Sequence, residues 1–112
     1  MDSFDDLKLA AEKTIQKQLE VGETVLFSSI VFKFNEVNKR QERTLLITNF
    51  NVFNLSSKTV KRKIPIKKIY GITIGVIGTE FVLHVPEEYD YRYSSPERRD
   101  QAVLSILQAL KG

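Results

Sequence analysis

Cysteine is absent from the 112 residues, which excludes a disulfide framework, a thiolate metal site and a thiol nucleophile. That absence favours the cytosol. Histidine occurs once, at His84. It alternates with Phe81, Leu83 and Val85 on a strand-like segment, has no obvious partner, and reads as a structural hydrogen-bonding group rather than a catalytic base. Long apolar runs are missing too. TVLFSSIVF and GITIGVIG are the longest, far short of the roughly twenty residues a spanning helix needs. The first twenty residues mix charges throughout and lack a signal-peptide core or the Arg-rich, acid-poor look of a transit peptide. Membrane contact, if the chain makes any, is therefore peripheral.

No helix-turn-helix, zinc-finger or ribonucleoprotein-type signature is present, and the glycines of GITIGVIG neither precede a helix nor end in the Lys-Ser or Lys-Thr of a phosphate loop. They read as hairpin punctuation. Glu87, Glu88 and Asp90 cluster, but no second ligand-bearing segment accompanies them, so a surface loop explains them better than a cation site. No cofactor, metal or catalytic residue is expected.

What is present is a lopsided charge. The net charge is +3, yet from Lys33 to Lys68 ten Lys and Arg face two acids, Glu36 and Glu42. Such a layout predicts a positive face that steers towards phosphates, acidic lipids or an acidic protein surface.

The length fits one ordinary domain with a modest core. Phe4, Leu7, Ala11 and Ile15 carry helical spacing, which predicts an N-terminal amphipathic helix within residues 1–21, with Ser3 as its cap. Residues 22–112 form the globular unit. Strands are expected at Thr24 to Phe34, Glu42 to Asn49, Val52 to Leu55, Val60 to Ile66, Lys68 to Ile74, Glu80 to Val85 and along Tyr89, Tyr91 and Tyr93. Ser95 and Pro96 then open a closing helix with Val103, Ile106, Leu107 and Leu110 as its apolar stripe. Consecutive strands without crossover helices are difficult to arrange as a parallel α/β sheet. The expected class is α+β, mainly β: a seven-stranded antiparallel barrel or sandwich with a C-terminal helix plugging one end.

Strand alternation places Lys61 and Lys63 together on one face, with Val60, Ile64 and Ile66 on the other. Phe32, Phe34, Phe50 and Phe53 lie near the basic segment and could serve as stacking platforms for nucleic acid. At strand spacing they read as core, which makes nucleic acid the less favoured polyanion.

The order of elements is the pleckstrin-homology arrangement. The stretch VLFSSIVFKFNEVNKRQERTLLITNFNVFNL, then KRKIPIKKIYGITIG and EFVLHV, resembles the tail-homology domain of class I myosins, over roughly Val25 to Leu107. The resemblance implies a non-catalytic module that binds phosphoinositide headgroups or anionic bilayers through Lys33, Lys39, Arg40 and Arg43, peripheral at cytoplasmic membranes. The usual headgroup pattern carries a base two residues before the strand-two arginine. Here that residue is Gln41, with Glu42 beside it, which leaves looser electrostatic attachment. Lys61 and Lys63 would extend the same basic face. The alternative function is a protein-docking domain that uses that face or the N-terminal helix.

Overall fold

The computed structural model describes residues 4–76 and 78–112. Eight strands make one sheet: β1 (Phe4–Asp5), β2 (Val25–Phe34), β3 (Arg40–Thr48), β4 (Asn51–Ser56), β5 (Thr59–Pro65), β6 (Gly71–Ile74), β7 (Glu80–His84) and β8 (Tyr91–Ser94). The main path runs β5-β4-β3-β2-β8-β7-β6, and β1 lies beside β2. Every pair on the path is antiparallel. The sheet curls around one apolar interior closed by helix α2 (Arg99–Lys111).

Alternation along β2 sets which residues face that interior. Phe27 and Val31 face the interior with Leu45, Ile47, Val52 and Ile64 of the next three strands. From the far side, Phe81, Leu83, Tyr91 and Tyr93 meet them, and Phe81 stacks on Tyr93 with ring centroids 5.2 Å apart. Each such residue, fully buried, contributes roughly 1.5–3 kcal/mol.

The N-terminal segment is not the expected helix. Phe4–Asp5 pairs in parallel with Phe27–Ser28, along the stretch of β2 that β8 leaves uncovered, so the edge is protected. A 3-10 turn (Leu9–Ala11) and a four-residue helix α1 (Lys13–Gln16) follow. The cause is local: Lys8 takes a left-handed backbone (φ 55), and the Asp5 carboxylate captures the backbone N–H groups of Leu9 and Ala10. The apolar stripe is consequently divided. Phe4 packs on the barrel interior, whereas Leu9 and Ile15 seal the outer face of β3 and β4 against Leu46, Phe53 and Leu55.

Three further differences matter for the surface. A 3-10 turn at Ile66–Lys68 delays β6 to Gly71. A bulge between Val60 and Arg62 breaks the alternation of β5, so Val60 packs on the outer cluster with Leu55 while Ile64 faces the interior. Helix α2 starts three residues after Pro96, without a side-chain cap from Ser95. Its buried face is Ala102, Val103, Ile106 and Ala109. Leu107 and Leu110 lie on the exposed side.

Candidate anion-binding mouth

Lys33 stands near the end of β2, opposite Gln41 of β3 and Tyr93 of β8. Two residues beyond Val31, it shares that residue's inward face. Its Nζ lies 6.0 Å from the centroid of the Tyr91 ring. Arg43 is opposite Val31 and therefore on the same face, a diagonal neighbour of Lys33. The two cations flank the open end of the barrel, and the Arg43 Nη1 donates to the Glu42 carbonyl at 2.8 Å.

The β2–β3 loop adds Lys39, and Arg40 opens β3. Asn35 builds the loop: its Oδ1 accepts from the N–H groups of Val37 (3.1 Å) and Lys39 (2.8 Å). Asn38 takes the left-handed turn position (φ 62), and its side chain accepts from Arg92. Arg40 points to the outer side, its guanidinium 4.2 Å from the Phe32 ring centroid. Arg92 covers Phe34 in the same way at 4.1 Å. Of the four aromatics near the basic segment only Phe53 is core; Phe32 and Phe34 are half-buried beneath these cations and Phe50 is exposed.

Across the opening lies the acidic loop that joins β7 to β8. Glu88 accepts the Tyr91 hydroxyl at 2.8 Å and pairs with Arg62 at 3.5 Å. Glu87 pairs with Lys68 at 3.0 Å, and the hydrogen bond and charge of Glu87 hold the Lys68 ammonium above its ordinary value. Burial and the bond to Glu88 push the Tyr91 hydroxyl well above a free phenol, and burial does the same to Tyr93. Both remain neutral donors. His84 does have partners: its Nε2 is 2.6 Å from Thr73 Oγ1 and its Nδ1 3.1 Å from Asp90.

The acids thus sort the basic segment into two sets. Lys58, Arg62 and Lys68 are neutralised by Glu12, Glu88 and Glu87. Among the described residues, Lys33, Lys39, Arg40, Arg43, Lys61, Lys63 and Lys67 form no ion pair. Of these, Lys33 and Arg43 stand at the mouth, Lys39 lies in the adjoining β2–β3 loop, and Arg40 turns to the outer side. Lys63 does not join them: it is opposite Phe53, on the outer side, with its Nζ 5.9 Å from that ring centroid. Register places it three strands across and about five residues along from Lys33, roughly 20 Å away. Lys61 is exposed at the bulge. The single basic face expected from alternation is therefore two separate patches.

The family model described as "Unconventional myosin tail, actin- and lipid-binding" matches residues 4–111, so it includes the N-terminal segment that the motifs alone had left outside. Among solved structures, the N-terminal pleckstrin-homology domain of human ARAP2 superimposes with a TM-score of 0.62 at 18% identity, covering 75% of this chain and 77% of that one. The pleckstrin-homology domain of human oxysterol-binding protein-related protein 11 gives 0.62 at 11% identity, with 80% of each covered. The C-terminal domain of an unknown protein from Leishmania infantum gives 0.66 at 17%, covering 89% and 94%. At these identities the likeness establishes the fold, a pleckstrin-homology-like barrel.

Proposed function

This chain belongs to the unconventional myosin tail family, and from that premise we propose that it is a non-catalytic module that attaches to anionic phospholipid headgroups through Lys33, Lys39, Arg40 and Arg43. The observation that supports the reading is the sorting of charge: Lys33 and Arg43 stand at the barrel mouth with Lys39 and Arg40 on the adjoining loop and strand start, and none is paired with a carboxylate among the described residues. Arg43 offers a planar fork for a phosphate and Lys33 a mobile point charge. No helix among the described residues is long and apolar enough to cross a membrane.

Magnitudes limit the claim. Each Lys or Arg close to an acidic leaflet contributes about 1 kcal/mol. Glu36 and Glu42 lie in the same region and offset part of the four. A total of about 2–4 kcal/mol corresponds to millimolar or weaker attachment by one mouth, so binding is salt-sensitive. Gln41, opposite Lys33, occupies the inward position where a third cation would strengthen headgroup selection. Attachment is accordingly set by charge density more than by inositol stereochemistry.

Liposome co-sedimentation tests this at near-physiological salt with neutral, phosphatidylserine and phosphoinositide vesicles. Sedimentation with both anionic vesicles, lost in Lys33→Ala/Arg43→Ala, supports the mouth. Failure of the folded protein to sediment with any vesicle removes the lipid function. Actin co-sedimentation of the same samples examines the other ligand in the family description.

A further inference from the structure

The exposed leucines of α2 leave an apolar surface at the end of the barrel remote from the mouth. A groove of about 530 Å³ lies between the β3–β4 turn, the end of β5 and the last turn of α2. Phe50, Pro65, Ile66, Ala109 and Leu110 form its apolar lining, and Lys63 and Lys67 also line it. Glu20 is the one acid on its edge. Phe50 and Leu110 are each 40% exposed, and Leu107 and Leu104 continue the surface along α2 at 48% and 54%. Residues three apart are neighbours on a helix surface, so the three leucines form one stripe of about 9 Å. Contiguous apolar surface of this kind marks a binding site more often than do single exposed side chains.

The charge over the groove indicates its occupant. Lys63 and Lys67 have no carboxylate partner among the described residues. An apolar floor with two unneutralised cations complements an acidic segment with apolar anchors. The length of the leucine stripe corresponds to about two turns of a helix, the span over which anchors at i, i+3 or i+4 and i+7 repeat. We propose that the groove between Phe50, Lys63, Lys67 and α2 docks an acidic amphipathic helix of a partner protein, at a site separate from the lipid mouth. The inference does not depend on lipid binding.

The test uses the whole chain, isotope-labelled, titrated with a synthetic amphipathic helix of about fourteen residues bearing leucine anchors on one face and glutamate on the other. The expected result is amide shifts concentrated at Phe50, Lys63, Lys67, Leu107 and Leu110. Affinity should fall about tenfold in Lys63→Gln/Lys67→Gln, and again in Leu107→Ser/Leu110→Ser, with the spectrum of the barrel interior unchanged as evidence of folding. A control peptide with the same leucines and a lysine face should not bind. Equal binding of both peptides, shifts centred on Lys33 and Arg43, or no shifts at all would overturn the proposal. So would displacement of the peptide by phosphatidylserine vesicles in the Lys33→Ala/Arg43→Ala variant, because the groove would then be a membrane surface.

Discussion

The Asp5 carboxylate accepts the Ser28 hydroxyl at 2.5 Å, across 23 positions of sequence, and also accepts the N–H groups of Leu9 and Ala10 at 2.9 Å each. One side chain therefore fixes β1 against β2 and starts the turn that follows. Asp5→Ala leaves three donors without this acceptor, and hydrogen bonds to a charged group contribute about 1.5–3 kcal/mol. Urea denaturation should show a loss of about 2 kcal/mol, with Asp5→Asn losing less because one acceptor oxygen remains.

Ile15 is fully buried against Leu46, Phe53 and Leu55. Ile15→Ala should cost about 2–5 kcal/mol by the same measurement. Removing residues 1–20 exposes those three side chains, so the truncated protein should aggregate or bind a hydrophobic dye. A truncated protein of unchanged stability would show that the segment is an appendage.

The Tyr93 hydroxyl donates to Asn54 Oδ1 at 2.7 Å inside the barrel. The Asn54 Nδ2 is the buried side-chain atom without a partner among the described residues. Tyr93→Phe would leave both polar atoms of that amide unpaired, at a cost of about 1–3 kcal/mol. Thermal melting should register it, and Asn54→Leu added to Tyr93→Phe should recover part of the loss.

Glu80 and Arg92 join β7 to β8 through a two-pronged contact, with Nε to Oε1 at 2.7 Å and Nη2 to Oε2 at 3.1 Å. The hydrogen bond from Arg92 holds the Glu80 carboxyl below its ordinary value of 4.5. A depressed carboxyl contributes stability that is fully present above 4.5 and disappears as the pH falls through the lower folded value. The pair is solvent-accessible, so the effect should stay under about 1 kcal/mol and shrink in salt. In Glu80→Gln, the acid-side slope of stability below pH 4.5 should be shallower.

Gln41→Lys places a third cation on the inward face opposite Lys33. If the mouth is the lipid contact, vesicle affinity should rise about fivefold, the equivalent of 1 kcal/mol. A rise confined to phosphoinositide vesicles would mean the added amine completes a headgroup pocket. No change at matched folding would argue against contact at the mouth.

The strands were largely legible because β-branched and aromatic residues at period two leave few alternatives between turn signals. Thr24 to Phe34 was expected as a strand and Val25–Phe34 is one; Glu80 to Val85 behaves likewise, and the strand expected along Tyr89, Tyr91 and Tyr93 begins at Tyr91. The helix expected over Phe4 to Ile15 failed because helical spacing reports which residues are apolar, whereas Phe4 and Ile15 were claimed by different cores. The expected stripe on α2 held at Val103 and Ile106 but not at Leu107 and Leu110, because small residues are weak signals in periodicity and Ala102 and Ala109 complete the packed face. Val60 misled for a third reason: a single bulged residue inverts the faces of everything beyond it.

The sequence by itself determined the succession of strands from Val25 onward, the closing helix and the concentration of positive charge between Lys33 and Lys68, since these follow from side-chain chemistry and short-range spacing. Only the tertiary structure decided which charges remain available. Carboxylates more than twenty positions away in sequence reach Arg62 and Lys58, Glu87 reaches Lys68, and strand register separates Lys33 from Lys63. Ion pairing and register are long-range consequences of how the sheet closes, and no local pattern encodes them.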